Sequence, residues 1–311
     1  MEKLGGILLA FFIFPGLLFT GVFGLIVTWI DRKLSARLQW RVGPPLFQPF
    51  YDFLKLWHKE LIIPSSSKKT GFLLAPIMGI TATTLLATIL GIINLNPEFR
   101  FVGDVIVILY LMIIPPLSII WGGFSSGNPI SAQGASREIK LMLGYELPFI
   151  ISVVTVLFKV DSLSLGEIIQ YQTVHGSLLN LPSMVLAFIV ALLCLQAKLG
   201  QIPFDIAEAE CELMEGPLLE YSGPALGLFK LMQSMLYVVL PWFIISLFWG
   251  GTSFQGLGIL WSILKYLFII VIVVLIKNTN PRIRIDQAVK FFWSWVTLLS
   301  VSAIILMFLG Y

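Results

Sequence analysis

Eight stretches of the chain stay apolar for roughly 18–25 residues, the length an α-helix needs to cross about 30 Å of hydrocarbon. They fall near 4–30, 72–93, 104–121, 141–158, 181–198, 224–248, 259–276 and 291–309. The pattern changes in two of the connections. After the first run, Leu46, Phe47, Phe50, Phe53, Leu54 and Trp57 recur at helical spacing beside Lys55 and Lys59, which predicts an amphipathic helix lying in the interface. The Gly43-Pro44-Pro45 break ahead of it sets a rigid turn, suited either to a plain surface anchor or to seating a partner subunit. After the fifth run, six carboxylates (Asp205, Glu208, Glu210, Glu212, Glu215 and Glu220) lie between Lys198 and Lys230 with no Lys or Arg among them. Pro203 before them and Gly216-Pro217 after them restrict any helix there to a few turns.

Composition agrees with the pattern. The chain is 58% hydrophobic and 12% charged, with a mean hydropathy of +0.93, far from a soluble globular domain. The expectation is a single all-α, polytopic transmembrane domain over 1–311. The first run is too long for a cleaved signal, and Asp31, Arg32 and Lys33 follow it without a small-residue cleavage site. Of the 20 Lys and Arg, 15 lie in the connections after runs one, three, five and seven, and only Lys3, Arg100 and Lys159 lie on the opposite side. The positive-inside rule then makes the first set cytoplasmic, acidic segment included, with both termini outside. A net charge of +3 gives no reason to expect nucleic acid. Two cysteines (Cys194, Cys211) and two histidines (His58, His175), none in a ligand motif, leave no iron–sulfur, zinc or haem set on this chain.

An unbalanced acidic run between two spans points to proton or cation chemistry. On an ideal helix Asp205, Glu208, Glu212 and Glu215 share an arc of about 80°, with Glu210 opposite. Two such charges about 6 Å apart repel by about 3 kcal/mol at the effective dielectric of a protein site, so neighbours titrate as a set. The competing reading is a solvated acidic face that docks a basic partner. Glu146, inside the fourth run beside Tyr145 and just before Pro148, is costly unless it faces a polar interior. Lys230 and Lys265 lie in the sixth and seventh runs, where a lysine stem can also snorkel or serve structure.

These residues also carry a resemblance. IPFDIAEAECELMEGPLLEYSG is similar to the PFD-x-x-E-x-E-x-E-L segment of the quinone-chamber membrane subunit of respiratory complex I. DRKLSARLQWRVGP, GASREIKLMLGYE and NPRIRIDQAVKFFW match further blocks of that family in order and spacing. The resemblance implies the helical heel of a complex I-like machine, on which a redox arm docks and drives ion-translocating subunits. It assigns the polar-channel carboxylates to Asp205, Glu208, Glu210, Glu212, Glu220 and Glu146, and the basic surface-loop residues to Arg32, Arg41, Arg137, Arg282 and Arg284. Glu215 stands where complex I usually has a small residue and adds a carboxylate to the stripe.

Two departures bear on the branch of the family. Quinone-reducing members carry a longer loop than Arg41-Val42-Gly43-Pro44-Pro45, and they read ETNR where this chain has Lys198-Leu199-Gly200-Gln201. The short loop is similar to that of membrane-bound nickel–iron hydrogenases and their archaeal sulfur-reducing relatives. The expectation is therefore an anchor and coupling subunit in the plasma membrane, without a redox centre of its own. It would be bound to hydrogenase-like large and small subunits, an iron–sulfur subunit and antiporter-like membrane subunits, with ferredoxin as electron donor. Iron–sulfur clusters and a nickel–iron site would lie on the partners. A quinone-reducing complex I subunit is the alternative, and a secondary ion transporter the alternative of another class, although the internal repeat expected of many transporters is absent.

Overall fold

A computed structural model describes residues 2–99, 101–208, 210–253 and 256–310, with the side chains at 2–4, 210 and 211 excepted. The described residues are helical without strands. Seven segments are long and apolar enough to span a bilayer, and an eighth apolar helix is shorter, so the eight apolar runs all become helices. The first span is built from α1 (Glu2–Phe12) and α2 (Leu17–Leu38), interrupted at Pro15, whose ring lies against α4 (Lys69–Leu95). Gly91 of α4 makes room for it: a Cβ there would stand 2.0 Å from the Pro15 ring. The expected amphipathic helix is α3 (Gln48–Trp57).

Next come α5 (Asp104–Ser125), α6 (Pro129–Val160) and the short α7 (Leu165–His175). The fifth run is the 17-residue α8 (Pro182–Lys198). The acidic helix is a single turn, α9 (Glu210–Leu213), because Asp205 and Glu208 lie in the non-helical stretch before it. The 80° stripe of an ideal helix therefore does not form, and a loop brings Asp205, Glu208 and Glu215 together instead. Gly216 closes it, with φ at 54° and a position where a Cβ would lie 1.9 Å from the Ala207 carbonyl oxygen. The last spans are α10 (Gly223–Phe248), α11 (Gly258–Thr279), and α12 (Ile285–Phe291) running through a π-helical turn at Phe292–Val296 into α13 (Thr297–Phe308).

The apolar core is centred on α10, 89% of whose most apolar window is buried, against 22% for α11. The sequence explains the difference, since α10 carries Gly, Ala and Ser among its large residues and packs on several neighbours, whereas the outer side of α11 is mostly Leu, Ile, Val and Phe, with Trp261. The π turn aims Phe292 inward, where its ring meets Tyr145 of α6 and Phe204 of the acidic loop at 6.3 and 4.8 Å. Such a turn re-registers a helix locally, and Thr297 Oγ1 donates to the Phe292 carbonyl at 2.7 Å to satisfy the strained ladder.

The two ends of the bundle differ. At one, Asn94 on α4 clamps Ser246 and the Thr252 loop, and Gln172 donates to the Leu247 carbonyl and accepts from Gly250 N–H. Lys265 belongs to this end: its ammonium donates to the Trp249 carbonyl at 2.6 Å and covers the Trp249 ring, capping α10. That is a structural role. At the other end the connections after spans one, three, five and seven come together, as the charge count groups them. Lys68 N–H donates to Ser125 O, Ile62 N–H to Ser222 Oγ, and Ile283 N–H to Pro203 O.

Candidate functional site

At that second end α2, α3, α5, α6, α8, α10, α11 and the 199–222 loop line an open cavity of about 620 Å³. Its acidic lining is Asp31, Asp52, Glu138, Asp205, Glu208 and Glu215. Its basic lining is Arg32, Lys55, Lys59, Lys198, Lys230 and Lys277. The acidic run thus faces a lining in which cations from elsewhere in the chain equal the acids in number. Arg282 donates to Asp205 at 2.7 Å, Lys277 to Asp31 at 2.8 Å and Arg32 to Asp52 at 2.8 Å. Glu208 accepts a 2.8 Å hydrogen bond from Gln233 of α10. Burial raises the Asp52 carboxyl, but hydrogen bonds from Arg32 and Gln48 and the charges of Arg32 and Lys55 outweigh it and hold the group below its ordinary value.

Glu146 stands behind the cavity on α6, paired with Lys198, and the two side chains are only 14% and 3% exposed. Two residues further on, Pro148 lacks the N–H that would bond the Gly144 carbonyl. Glu212 is 63% exposed and accepts from Arg137 at 2.7 Å, so it sits at the protein surface rather than in the low-dielectric setting expected for a relay member. Glu220 accepts from Asn128 Nδ2 at 2.5 Å. Next to it Tyr221 stacks on Phe72 at 4.0 Å and donates to the Phe72 carbonyl at 3.0 Å, fixing the end of the acidic loop to α4. Burial pushes this phenol above its ordinary range, so it stays a neutral donor. The Glu210 side chain lies outside the described residues.

Of the basic loop residues, Arg32, Arg137 and Arg282 are engaged with carboxylates of this same chain, and Arg41 and Arg284 are exposed. Beside Arg41, Trp40 is 98% exposed and held at φ 60°. The turn that presents it is rigid: Arg41 N–H bonds Ala36 O at 2.7 Å, and Trp29 Nε1 donates to Pro44 O.

Sequence reasoning missed Glu138, Asp31, Asp52, Lys198 and Lys277 as members of the site. Glu138 was within reach, since it lies in GASREIK just before the fourth apolar run. Eight residues on, Glu146 falls about 80° away around the helix, and the charges of Glu208 and Asp205 both bear on Glu138. Asp31 and Lys277 look like ordinary interfacial residues until α2 and α11 pair them. No group of three or more His, Cys, Asp or Glu suited to a metal occurs among the described residues. Cys194 is a buried free thiol.

A family model described as NADH dehydrogenase matches residues 10–308. Among curated relatives, the H subunit of the NADH-quinone oxidoreductase of Dehalococcoides mccartyi (strain CBDB1) is 34% identical over 292 residues, covering 91% of this chain and 81% of that protein. The corresponding NADH-quinone oxidoreductase protein of Bacillus mycoides (strain KBAB4) is 32% identical over 316 residues, covering 95% and 93%. Among solved structures, a chain of the membrane-bound sulfane sulfur reductase, an archaeal respiratory membrane complex, superposes with a TM-score of 0.87 at 28% identity, covering 96% of this chain and 99% of that one. With eight apolar helices among the described residues, a charged cavity at one end and these matches over nearly its whole length, the chain is a multi-pass membrane protein that belongs to the NADH dehydrogenase family represented by these H subunits.

Proposed function

We propose that this chain is the anchor and coupling subunit of a ferredoxin-dependent, hydrogenase-like respiratory complex. The redox arm sits over the cavity on the cytoplasmic side, with hydrogenase-like and iron–sulfur subunits carrying the clusters and any nickel–iron site, and both termini face outward. The carboxylates pass the electrostatic consequence of electron transfer to antiporter-like neighbours in the membrane. The observation that carries this reading is the cavity itself. Glu138 of α6 and Asp205, Glu208 and Glu215 of the acidic loop converge there, and Glu146 with Lys198 continues the line inward. Charged groups at membrane depth are costly and are kept where ions or protons move. The ferredoxin branch rests on the shortened Arg41–Pro45 loop and on Lys198–Gln201 in place of ETNR, and the archaeal sulfur-reducing relative matches along its full length.

The test is ion uptake by inverted vesicles driven by reduced ferredoxin. Glu138→Gln and Glu208→Gln are expected to keep assembly and lose most uptake; unchanged uptake at full assembly in both sinks the relay. A second reading, quinone reduction, is favoured by the curated relatives' names. A quinone site needs an apolar entry and a few convergent polar groups. Steady-state turnover that depends on added quinone, or stops with a quinone-site inhibitor, selects that reading. Turnover indifferent to both supports the ferredoxin one.

A further inference from the structure

Among the described residues, Lys198 both lines the cavity and bonds to Glu146. It is the last residue of α8, where the partial negative charge of the helix end favours a cation. Its ammonium lies 5.0 Å from the centroid of Tyr145 and 4.7 Å from that of Phe149, two rings on the same helix as Glu146. Cation–π attraction therefore helps Lys198 keep its charge when the carboxylate does not hold it. Glu138 lies on α6 about 12 Å of helix rise before Glu146, too far for the two carboxylates to bond directly. Next to Glu146 in the chain, the Tyr145 hydroxyl is buried without a hydrogen-bond partner among the described residues, and the charges of both Glu138 and Glu146 bear on it. A buried pair whose only purpose was to fasten α6 to α8 has no need of a face on a charged cavity, nor of a polar group left open beside it.

We propose that Lys198 is a positioning residue that ties the charge state of Glu146 to the cavity. At rest Lys198 holds Glu146 in an ion pair. When a proton from the cavity binds a Glu146 oxygen, the ion pair opens, no other bond changes, and the ammonium turns toward the cavity carboxylates, Glu138 first. The positive charge displaced in this way is what the cavity registers. The proposal rests on the relay reading above and adds the residue through which the buried and cavity carboxylates communicate.

In the assembled complex, Lys198→Met is expected to keep ferredoxin oxidation within about twofold of wild type while ions taken up per electron fall at least fivefold, and Lys198→Arg to retain most of the uptake. Lys198→Gln, which can still donate a hydrogen bond to Glu146, covers the case in which the Met variant does not assemble. Normal uptake per electron in either neutral variant overturns the proposal. Independently, a carbodiimide, which attacks protonated carboxyls, should spare Glu146 in the resting native complex and label it during turnover; equal labelling in the two states also overturns it. Glu138→Gln separates the two levels. Uptake lost there but normal without the Lys198 charge leaves the relay standing and removes Lys198 from it, whereas normal uptake in both removes the relay.

Discussion

Three of the ion pairs that tie acidic residues to other elements, Lys198–Glu146, Arg282–Asp205 and Arg137–Glu212, should differ in strength in the order of their burial. For charges about 4 Å apart the gross attraction is about 4 kcal/mol at an effective dielectric near 20, before desolvation and solvent screening are subtracted. Lys198 and Glu146 are 3% and 14% exposed. Removing one partner strands a buried charge and costs about 3–5 kcal/mol, while removing both is close to neutral. Arg282 and Asp205, at 37% and 16%, are partly screened, which reduces the coupling to about 1–2 kcal/mol. Arg137 and Glu212, at 22% and 63%, should couple by about 0.5 kcal/mol, as exposed pairs do. Double-mutant cycles with Met for Lys, Ala for Arg, and Gln or Asn for the carboxylates measure each term, read by reversible denaturation in mixed micelles. The expected outcome is the ranking rather than the absolute values. If the Arg137–Glu212 coupling equals or exceeds that of Lys198–Glu146, burial does not govern these pairs and the placement of Glu146 in a low-dielectric pocket is wrong.

Further outcomes follow from single features. Gly216→Ala puts a Cβ into the Ala207 carbonyl at a left-handed backbone position. The strain alone is about 1–2 kcal/mol, so the acidic loop should open, with ion uptake lost and membrane insertion retained in a protease-protection assay. Trp40→Ala together with Arg41→Glu removes an exposed aromatic and reverses a charge on a rigid turn, and should release the redox arm in pull-downs at moderate salt. Arg137→Glu, whose partner is internal, should leave the arm bound. Because the folded Asp52 carboxyl is held below its unfolded value, the stability it gives to α3 is present above the ordinary carboxylate range and is lost as pH falls through the lowered value. Trp57 fluorescence should report acid release of α3, and Asp52→Asn should make that signal insensitive to pH.

How much of this was legible in the sequence depends on the range of the interaction concerned. Spans, the amphipathic α3 and the grouping of connections at two ends follow from local periodicity and from the alternation that each membrane crossing imposes, and they agree with the structure. The acidic segment was legible as chemistry but not as geometry. Helical periodicity puts Asp205 and Glu212 on one stripe, yet Asp205 turns to Arg282 and Glu212 to Arg137, because Pro203 and Gly216 favour a folded loop over a helix. The cations were invisible for a different reason. Lys277 is 246 residues from Asp31 and Arg282 is 77 from Asp205, and no spacing rule links them. Lys265 shows the reverse case, a charged residue inside a span that only caps the end of α10.

The balance of charge around the cavity bears on how such a protein can transmit force. An uncompensated acidic cluster would hold protons tightly and respond weakly, since its members already suppress one another's ionisation. With Arg32, Lys198, Lys277 and Arg282 each holding a carboxylate on another element, protonating one acid instead frees a cation, and the freed charge acts on the next carboxylate. The pairs also join helices: Lys277 ties α11 to α2, Arg282 ties the α11–α12 connection to the acidic loop, and Lys198 ties α8 to α6. A proton arriving at the cavity would therefore change which helices are held together as well as the local field. On the relay reading, that is how an event at the docked arm reaches α6 and α8.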